Sequence, residues 1–416
     1  MSQTKALRTF RKTYYKHMAI SENEVTVLPI PPPEEIPTNG DKPKDEARHE
    51  QPKPAHAKPA RLISLDAFRG LTIVLMLLVN NIALDIFTPK HLTHAAWNAG
   101  VNLADLVAPW FLFCVGIAIP FSAASFAKTG KPSWHHDLKI LRRGALLIGL
   151  GCLIDSTLYS GPVFCLDVLQ IIGLAYMVGA LLYDLPMSRR LGIAGTLLSG
   201  YWAAIKFVPI PGIGAGHFEQ TANFITHLNR TYLMPFNLTG LPSIIPTAAL
   251  VLIGTAIGDL LRRRDRDPMW AVAWLLLTGV VLTISGIVWN ASLAYNKPLW
   301  TPSYILFAAG TGSIVLGLLY LVIDVHRISK WAFPLVIFGS NAIVAYVAPI
   351  LTKLWILQRW HVNIDGHGVP VLQRILDLCK LHFGPVPGGW IYTIGYVAVW
   401  WLVLWQLYRK KMFLRV

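Results

Sequence analysis

Runs of about 20 apolar residues recur along the chain from residue 62 almost to its end. Each run is long enough to cross a hydrocarbon core of about 30 Å, a length that the core of a soluble domain does not require. Ten runs can be delimited, at residues 70–88, 104–126, 140–159, 162–183, 190–209, 242–261, 268–289, 302–323, 332–356 and 388–407. They predict an all-α fold, that of a polytopic membrane protein with about ten transmembrane helices.

The composition agrees with this class and disfavours others. The 416-residue chain is 54% hydrophobic and only 14% charged, unlike a typical soluble protein. Its net charge of +15 is divided into short clusters between apolar runs, whereas a nucleic-acid-binding protein usually has one basic face. This distribution gives no reason to expect nucleic acid as a partner. The four cysteines form no CxxC pair, so no metal ion is expected either.

Residues 1–60 differ in composition from the rest of the chain. They hold ten Lys or Arg, eight Asp or Glu, and nine prolines between residues 29 and 59. Such a segment cannot bury enough apolar surface to offset the entropy lost on ordering. We therefore expect a disordered, Pro-rich cytoplasmic tail at 1–60, followed by one transmembrane domain at 61–416.

The distribution of basic residues predicts the orientation in the membrane. The tail through residue 69 has 12 Lys or Arg, and alternate connections together with the C-terminus have 17, whereas the opposite connections have eight. By the positive-inside rule, both termini are expected in the cytoplasm. Three long connections, at 89–103, 210–241 and 357–387, would then face outward, and loops of this length often carry function.

The densest group of polar residues lies between the first two predicted helices and includes Asn80, His94, Trp97, Asn98 and Asp105. A histidine can take a proton from an amine or be acylated itself, an Asn amide can hold an oxyanion, and an indole can stack on a sugar ring. Each residue alone has an ordinary explanation, such as an interfacial anchor or a helix cap. Together they are consistent with acyl transfer to a sugar, and a transporter site stays open as an alternative.

Three stretches in this part of the chain form a specific set of motifs. Residues 61–73, 94–98 and 104–113 read RLISLDAFRGLTI, HAAWN and ADLVAPWFLF. Looser matches follow in order at 168–176, 240–248 and 338–346, which read VLQIIGLAY, GLPSIIPTA and FGSNAIVAY. The set resembles the heparan-α-glucosaminide N-acetyltransferase family.

This resemblance implies a multi-helix membrane enzyme that takes acetyl groups from cytoplasmic acetyl-CoA and delivers them to an amino sugar on the other side. The family's active-site histidine corresponds to His94, and its partner asparagine corresponds to Asn80. Whether the histidine is acetylated or acts as a base stays open. Further residues of this region and of the last matched stretch are expected to contact the substrate, namely Trp97, Asn98, Asp105 and Asn341.

The phosphates of acetyl-CoA require cationic partners. Arg142 and Arg143, at the cytoplasmic end of the third predicted helix, are candidates together with Arg69. Each of them could also be an ordinary positive-inside anchor.

The chain departs from the family pattern at three positions. Ile171 stands where the family usually has an arginine, Thr239 replaces an acidic residue, and Asn229 replaces a common aspartate. Groups that recognise the family's substrates are therefore partly missing, and the acceptor could differ from glucosamine.

Two other functions remain possible alternatives: a transporter or flippase for a glycan or its lipid carrier, and a non-catalytic partner in the cell envelope.

No apolar segment follows the early basic residues, which favours a bacterial inner membrane as the location. The expected partners are acetyl-CoA, an amino sugar or glycan acceptor, the lipid bilayer and, in a homodimer, a second copy of the chain.

Overall fold

A computed structural model describes residues 62–130, 132–263, 265–364 and 367–413. The tail predicted at 1–60 lies outside these ranges, so its disorder and its boundary remain predictions. Within the described residues the structure is mostly helical, with very little strand.

The helices follow one another through most of the chain. In order they are α1 (Ile63–Asn81), α2 (Leu103–Ala127), α3 (Ser133–Leu158), α4 (Val168–Leu181), α5 (Met187–Phe207), α6 (Phe224–Leu228), α7 (Ile244–Arg262), α8 (Pro268–Asn290), α9 (Pro302–Tyr320), α10 (Phe333–Ser340), α11 (Ala342–Thr352), α12 (Val371–Phe383) and α13 (Pro385–Arg409). An antiparallel hairpin, β1 (His361–Ile364) and β2 (His367–Pro370), lies between α11 and α12, with His361 opposite Pro370.

Short turns of tighter or wider helix connect or extend several of these helices. Turns of 3₁₀ type occupy Asp85–Phe87, Lys90–Leu92, Met234–Phe236, Leu241–Ser243 and Lys330–Ala332. Turns of π type occupy Asn229–Leu233, Leu321–Val325 and Lys353–Leu357.

Six helices of the described chain are long and apolar enough to cross a membrane: Ile63–Asn81, Leu103–Ala127, Leu241–Arg262, Pro268–Asn290, Pro302–Val325 and Pro385–Arg409. The segments Lys330–Ser340 and Ala342–Leu357 pass the same test as a pair, bent by 69° at Asn341. The all-α prediction is confirmed for the described residues. The count of ten spans remains a prediction, although each predicted run overlaps a helix.

Helix α1 begins earlier than the predicted run at 70–88. The backbone amides of Ile63 and Ser64 donate to the Asp324 carboxylate at 3.3 and 3.0 Å, which satisfies two of the unpaired donors at the helix start. Asp66 and Arg69 form an ion pair at 3.4 Å. Both charges lie inside the helix, before the predicted run begins, and each compensates the other.

Close helix contacts are made at glycines. A Cβ atom at Gly70 of α1 would lie 1.8 Å from the Leu335 carbonyl oxygen of α10, and one at Gly339 would lie 1.9 Å from the Asp66 oxygen. Gly116 of α2 and Gly254 of α7 approach each other in the same way. Small residues let helix backbones meet, as in other membrane bundles.

The interior of the bundle lies around α2, α7 and α9. Phe113, Leu250, Leu252 and Tyr304 are fully buried there. Helices α8 and α13 bury only 28% and 22% of their most apolar windows. Their exposed apolar faces place them at the periphery, where lipid covers them.

Candidate functional site

The connection between α1 and α2 is folded around one carboxylate, that of Asp105 in the first turn of α2. Its Oδ2 atom accepts hydrogen bonds from the backbone amides of Ala95, at 3.0 Å, and Asn102, at 3.1 Å. The Asn102 side chain in turn donates to the Thr93 carbonyl at 3.0 Å. An acceptor at a helix N-terminus is favoured by the helix dipole, so this arrangement both starts α2 and fixes the preceding loop.

The same carboxylate holds the imidazole of His94. Asp105 Oδ1 lies 2.8 Å from His94 Nδ1, and Asp105 is only 2% exposed whereas the His94 side chain is 53% exposed. The buried Tyr304 hydroxyl of α9 donates to the Asp105 carbonyl oxygen at 2.5 Å. When Nδ1 donates its proton to Asp105, Nε2 is left as the proton acceptor.

Lys297, from the connection between α8 and α9, completes this group. Its Nζ atom lies 3.0 Å from His94 Nδ1 and 3.7 Å from Asp105 Oδ1. Burial lowers the pKa of Lys297, although the Asp105 carboxylate acts in the opposite direction. Because Nζ also lies 3.4 Å from His94 Nε2, the ammonium faces both ring nitrogens and can donate to whichever of them carries no proton.

Sequence reasoning did not select Lys297. It is 203 residues from His94, and no periodicity connects the two. A weak signal existed, because Lys297 is the only Lys or Arg between Arg266 and Arg327. A lone ionisable residue near the membrane is a functional candidate by default.

A cavity of about 520 Å³ opens beside these side chains. Its lining includes His94, Asp105 and Lys297, together with Asn80 at the end of α1 and Tyr346 of α11. The structure therefore brings the two predicted catalytic residues, His94 and Asn80, to one cavity. We call it the His94 cavity, and the end of the bundle that holds it the His94 end.

The far wall of the His94 cavity carries a second carboxyl group. Asp167, the residue before α4, lines it, and burial together with nearby Asp155 raises the pKa of Asp167. Asp155 itself is buried and accepts from Gln170 Nε2 at 2.6 Å and from the Cys165 thiol at 3.1 Å. This network fixes the start of α4 against α3.

Two of the three departures from the family pattern lie at or next to this cavity. Ile171 lines it directly, so an apolar side chain stands where the family's arginine is expected. Gly240, next to Thr239, also lines it and donates its amide to Asn229 Oδ1 at 3.2 Å. Asparagine at 229 thus keeps the acceptor that an aspartate would supply and removes its charge.

The structure distributes the predicted substrate-contact residues over different places. Trp97 lines the His94 cavity, but its Nε1 donates to the Phe218 carbonyl at 3.0 Å and its ring packs on the Phe218 ring. Asn98 is exposed and 3.5 Å from the same carbonyl. Asn341 is buried at the bend between α10 and α11, and its amide donates to Met412 at 3.2 Å. Neither Asn98 nor Asn341 is among the cavity-lining residues of the described chain.

The predicted donor-binding arginines do not line the His94 cavity either. Arg69 pairs with Asp66, the Arg143 guanidinium lies 4.8 Å above the Tyr176 ring, and Arg142 is exposed on α3. The Arg143 Nε atom is buried with no hydrogen-bond acceptor among the described residues. In the same part of the chain, no group of three or more His, Cys, Asp or Glu residues could hold a metal ion.

The apolar helices, with a cavity lined by His94, Asp105 and Lys297 at one end of them, define a helical integral membrane protein. Residues 61–295 match the sequence profile of the family described as heparan-alpha-glucosaminide N-acetyltransferase, catalytic. The chain belongs to this family, which confirms the resemblance seen in its motifs.

Two curated relatives bear the name heparan-alpha-glucosaminide N-acetyltransferase. The human protein is 26% identical over 428 aligned residues, covering 86% of this chain and 60% of the relative. The mouse protein is 25% identical over 435 aligned residues, covering 88% and 62%. The chain thus spans about three fifths of the length of these relatives. The family match includes His94 and Asp105 and ends two residues before Lys297.

Proposed function

We propose that this chain is a membrane-bound acetyltransferase that moves an acetyl group from cytoplasmic acetyl-CoA to an amino sugar or glycan at the extracytoplasmic face. Membership of the family supports the reaction type, as do the names of the human and mouse relatives. The observation that carries the proposal is the His94 imidazole, held by Asp105 at 2.8 Å in a cavity that Asn80 also lines.

In the proposed reaction, His94 Nε2 takes a proton from the acceptor amine as its nitrogen attacks the thioester carbonyl. The new C–N bond forms, the C–S bond breaks, and the proton passes from His94 to the departing CoA thiolate. Asp105 stabilises the imidazolium that forms in between. Acetylation of His94 itself, followed by transfer to the amine, uses the same residues in two steps.

The developing oxyanion needs donors that are in place before the reaction begins. The Asn80 carboxamide and the Lys297 ammonium both line the His94 cavity and are the candidates for this role. Trp97, Asn98, Asp105 and Asn341 remain predictions as substrate contacts. Trp97 and Asp105 line the His94 cavity, whereas Asn98 and Asn341 are not among its lining residues in the described chain.

The donor side is proposed at the opposite end of the bundle, where Arg69, Arg142 and Arg143 supply positive charge for the phosphates of CoA. The proposed location is a bacterial inner membrane with both termini in the cytoplasm, in line with the excess of Lys and Arg in the inner connections. A homodimer is the proposed assembly.

The test is acetyl transfer in membranes that contain the chain. Membranes are incubated with radiolabelled acetyl-CoA and a panel of soluble amino sugars and amino-sugar glycolipids, with N-acetylglucosamine as the acceptor that lacks a free amine. We expect label on at least one free-amine acceptor and none on N-acetylglucosamine. Label no greater than that of a folded His94→Ala protein on every acceptor would contradict the proposal.

A further inference from the structure

A second cavity, of about 330 Å³, adjoins the His94 cavity. The two share three wall residues, Met76, Asn80 and Tyr346. The second cavity lies between α1, α3, α11 and α13, and much of its lining is aliphatic, with Leu77, Ile154, Leu158, Pro349, Ile350 and Leu354. We call it the apolar cavity. A ligand that occupied both cavities would have a polar part near His94 and an apolar part beyond Asn80.

One cation stands in the wall of the apolar cavity. Lys353 is half-buried, and its Nζ atom donates to the Asn80 carbonyl at 3.0 Å. No acidic residue is among the lining residues of the described chain, and no ion pair of Lys353 occurs within it. An ammonium withdrawn from water without a counter-charge is costly, and a bound anion would compensate it.

An unsatisfied polar atom lies in the same wall. Asn81 is 7% exposed and lines the apolar cavity, and its Nδ2 atom donates to the Leu77 carbonyl at 2.8 Å. Its Oδ1 atom is buried and has no hydrogen-bond partner among the described residues. A hydroxyl of a ligand would satisfy this acceptor.

The surroundings of the apolar cavity favour a lipid over CoA. Leu158 of its wall is 56% exposed, and Trp355, which donates to the hydroxyl of neighbouring Thr157 at 3.1 Å, is 44% exposed, so exposed apolar surface borders the cavity. The apolar cavity is at the His94 end of α1, where Asn80 lines it. Arg69 precedes Asn80 by eleven residues, which is about 16 Å along the helix axis. A lipid chain reaches this position from the bilayer.

We propose that the apolar cavity binds the lipid chain and phosphate of a lipid-linked amino-sugar acceptor, with the phosphate at Lys353 and the sugar in the His94 cavity. The acceptor role rests on the acetyltransferase function proposed above. Lipid-phosphate binding itself does not require it, so the two proposals can fail separately.

Binding is measured without catalysis, by native mass spectrometry of the full chain in detergent. The probes are farnesyl phosphate, farnesol and inorganic phosphate, each at the same concentration. The variants are Lys353→Gln, Lys353→Arg and Ile350→Trp. Lys90→Gln and Val399→Trp are matched controls at exposed positions outside both cavities. Thermal denaturation of each variant establishes that it is folded.

We expect farnesyl phosphate to bind at least tenfold more tightly than farnesol or inorganic phosphate. Lys353→Gln should remove that preference and Lys353→Arg should retain it, because the phosphate needs the charge. Ile350→Trp should abolish binding by filling the cavity, and both controls should bind as the wild type does. Equal binding of farnesol and farnesyl phosphate, unchanged binding by folded Ile350→Trp, or displacement of the probe by CoA would overturn the proposal.

The same preparation is assayed with a farnesyl-phosphate-linked glucosamine and with free glucosamine. Transfer to the linked sugar with a lower KM than to the free sugar supports both proposals. Probe binding without transfer to either sugar would refute glucosamine as the acceptor and leave the lipid-phosphate site in place, and the acceptor panel described above then decides on the acetyltransferase function itself.

Discussion

The Asp105 carboxylate does two tasks that are usually separated. Its Oδ2 atom accepts from two backbone amides and shapes the loop, while Oδ1 lies at the His94 imidazole. A substitution there would remove the loop geometry together with the polarisation of the histidine. Asp105 variants therefore cannot separate stability from chemistry, and the informative changes are at His94 and Lys297.

Replacing His94 tests the chemistry directly. General base catalysis contributes about 10²–10⁴ in rate, so His94→Ala should lower turnover by at least that order while thermal stability changes little, because the side chain is half-exposed. The measurement is acetyl transfer from radiolabelled acetyl-CoA. His91→Ala, three residues earlier at an exposed position, is the control and should have a far smaller effect. Full transfer by a folded His94→Ala protein would assign the reaction to another residue.

Lys297 predicts a pH dependence of stability. Burial lowers its pKa from the ordinary 10.5, so the folded protein binds this proton less tightly than the unfolded chain. The stability of the wild type relative to Lys297→Met should therefore rise as the pH increases through the lowered pKa towards 10.5. Thermal denaturation in detergent from about pH 8 upward measures it. Lys90→Met, at an exposed position, is the control, and a difference in Tm that is constant with pH for Lys297→Met would contradict the prediction.

At the scale of helices, the contact between α1 and α10 depends on the absence of a side chain at Gly70. An added methyl group would meet the Leu335 carbonyl at 1.8 Å, so Gly70→Ala should force the helices apart and lower Tm markedly. Gly200→Ala in α5 is the matched control, because nothing lies within 4 Å of its Cβ position. Since alanine is favoured over glycine in a helix by roughly 0.5–1 kcal/mol, the control should be neutral or slightly stabilised. Equal Tm values for the two variants would show that the contact is looser than described.

Helices were predictable from the sequence where apolar runs were long, and less so at their ends. The sequence predicts a first run at 70–88, whereas α1 begins at Ile63, with the Asp66–Arg69 pair inside it and its first amides bound by the Asp324 carboxylate. The connection at 357–387 was expected to be a loop and instead holds the hairpin and α12. In α12 the apolar residues recur with a helical period, but they are interleaved with charges and form no continuous apolar run.

For the whole molecule, the decisive prediction is the topology. Reporter fusions after Gly100 and after Gly130 are separated by α2, which is 25 residues long and apolar enough to cross the membrane. The two fusions should therefore report opposite sides, with Gly130 in the cytoplasm because the basic residues of the following connection are retained there. A fusion at the C-terminus should report the same side as Gly130. Both loop fusions on one side would exclude the proposed outward site.

The candidate site was predictable only where its residues are close in sequence. His94 and Asp105 are eleven residues apart and fall in one predicted polar region, but the sequence predicts Asp105 as a substrate contact, and its hydrogen bond to the His94 ring is visible only in the structure. Lys297 and Asp167 reach the same cavity through the packing of α9 and α4, which a single sequence does not specify. Asn341 was selected from a motif, and its place at a sharp bend next to Met412 depends on how two short helices meet the end of α13.

The long separation between His94 and Lys297 has a consequence for biosynthesis. A ribosome adds about 5–20 residues per second, so roughly 10–40 s pass between synthesis of the histidine and that of the lysine, 203 residues later. During this interval the nascent chain holds the imidazole and its carboxylate without the ammonium. The complete set of charged groups exists only after the connection that follows α8 has left the ribosome. The site can therefore be assembled only once most of the chain has been synthesised.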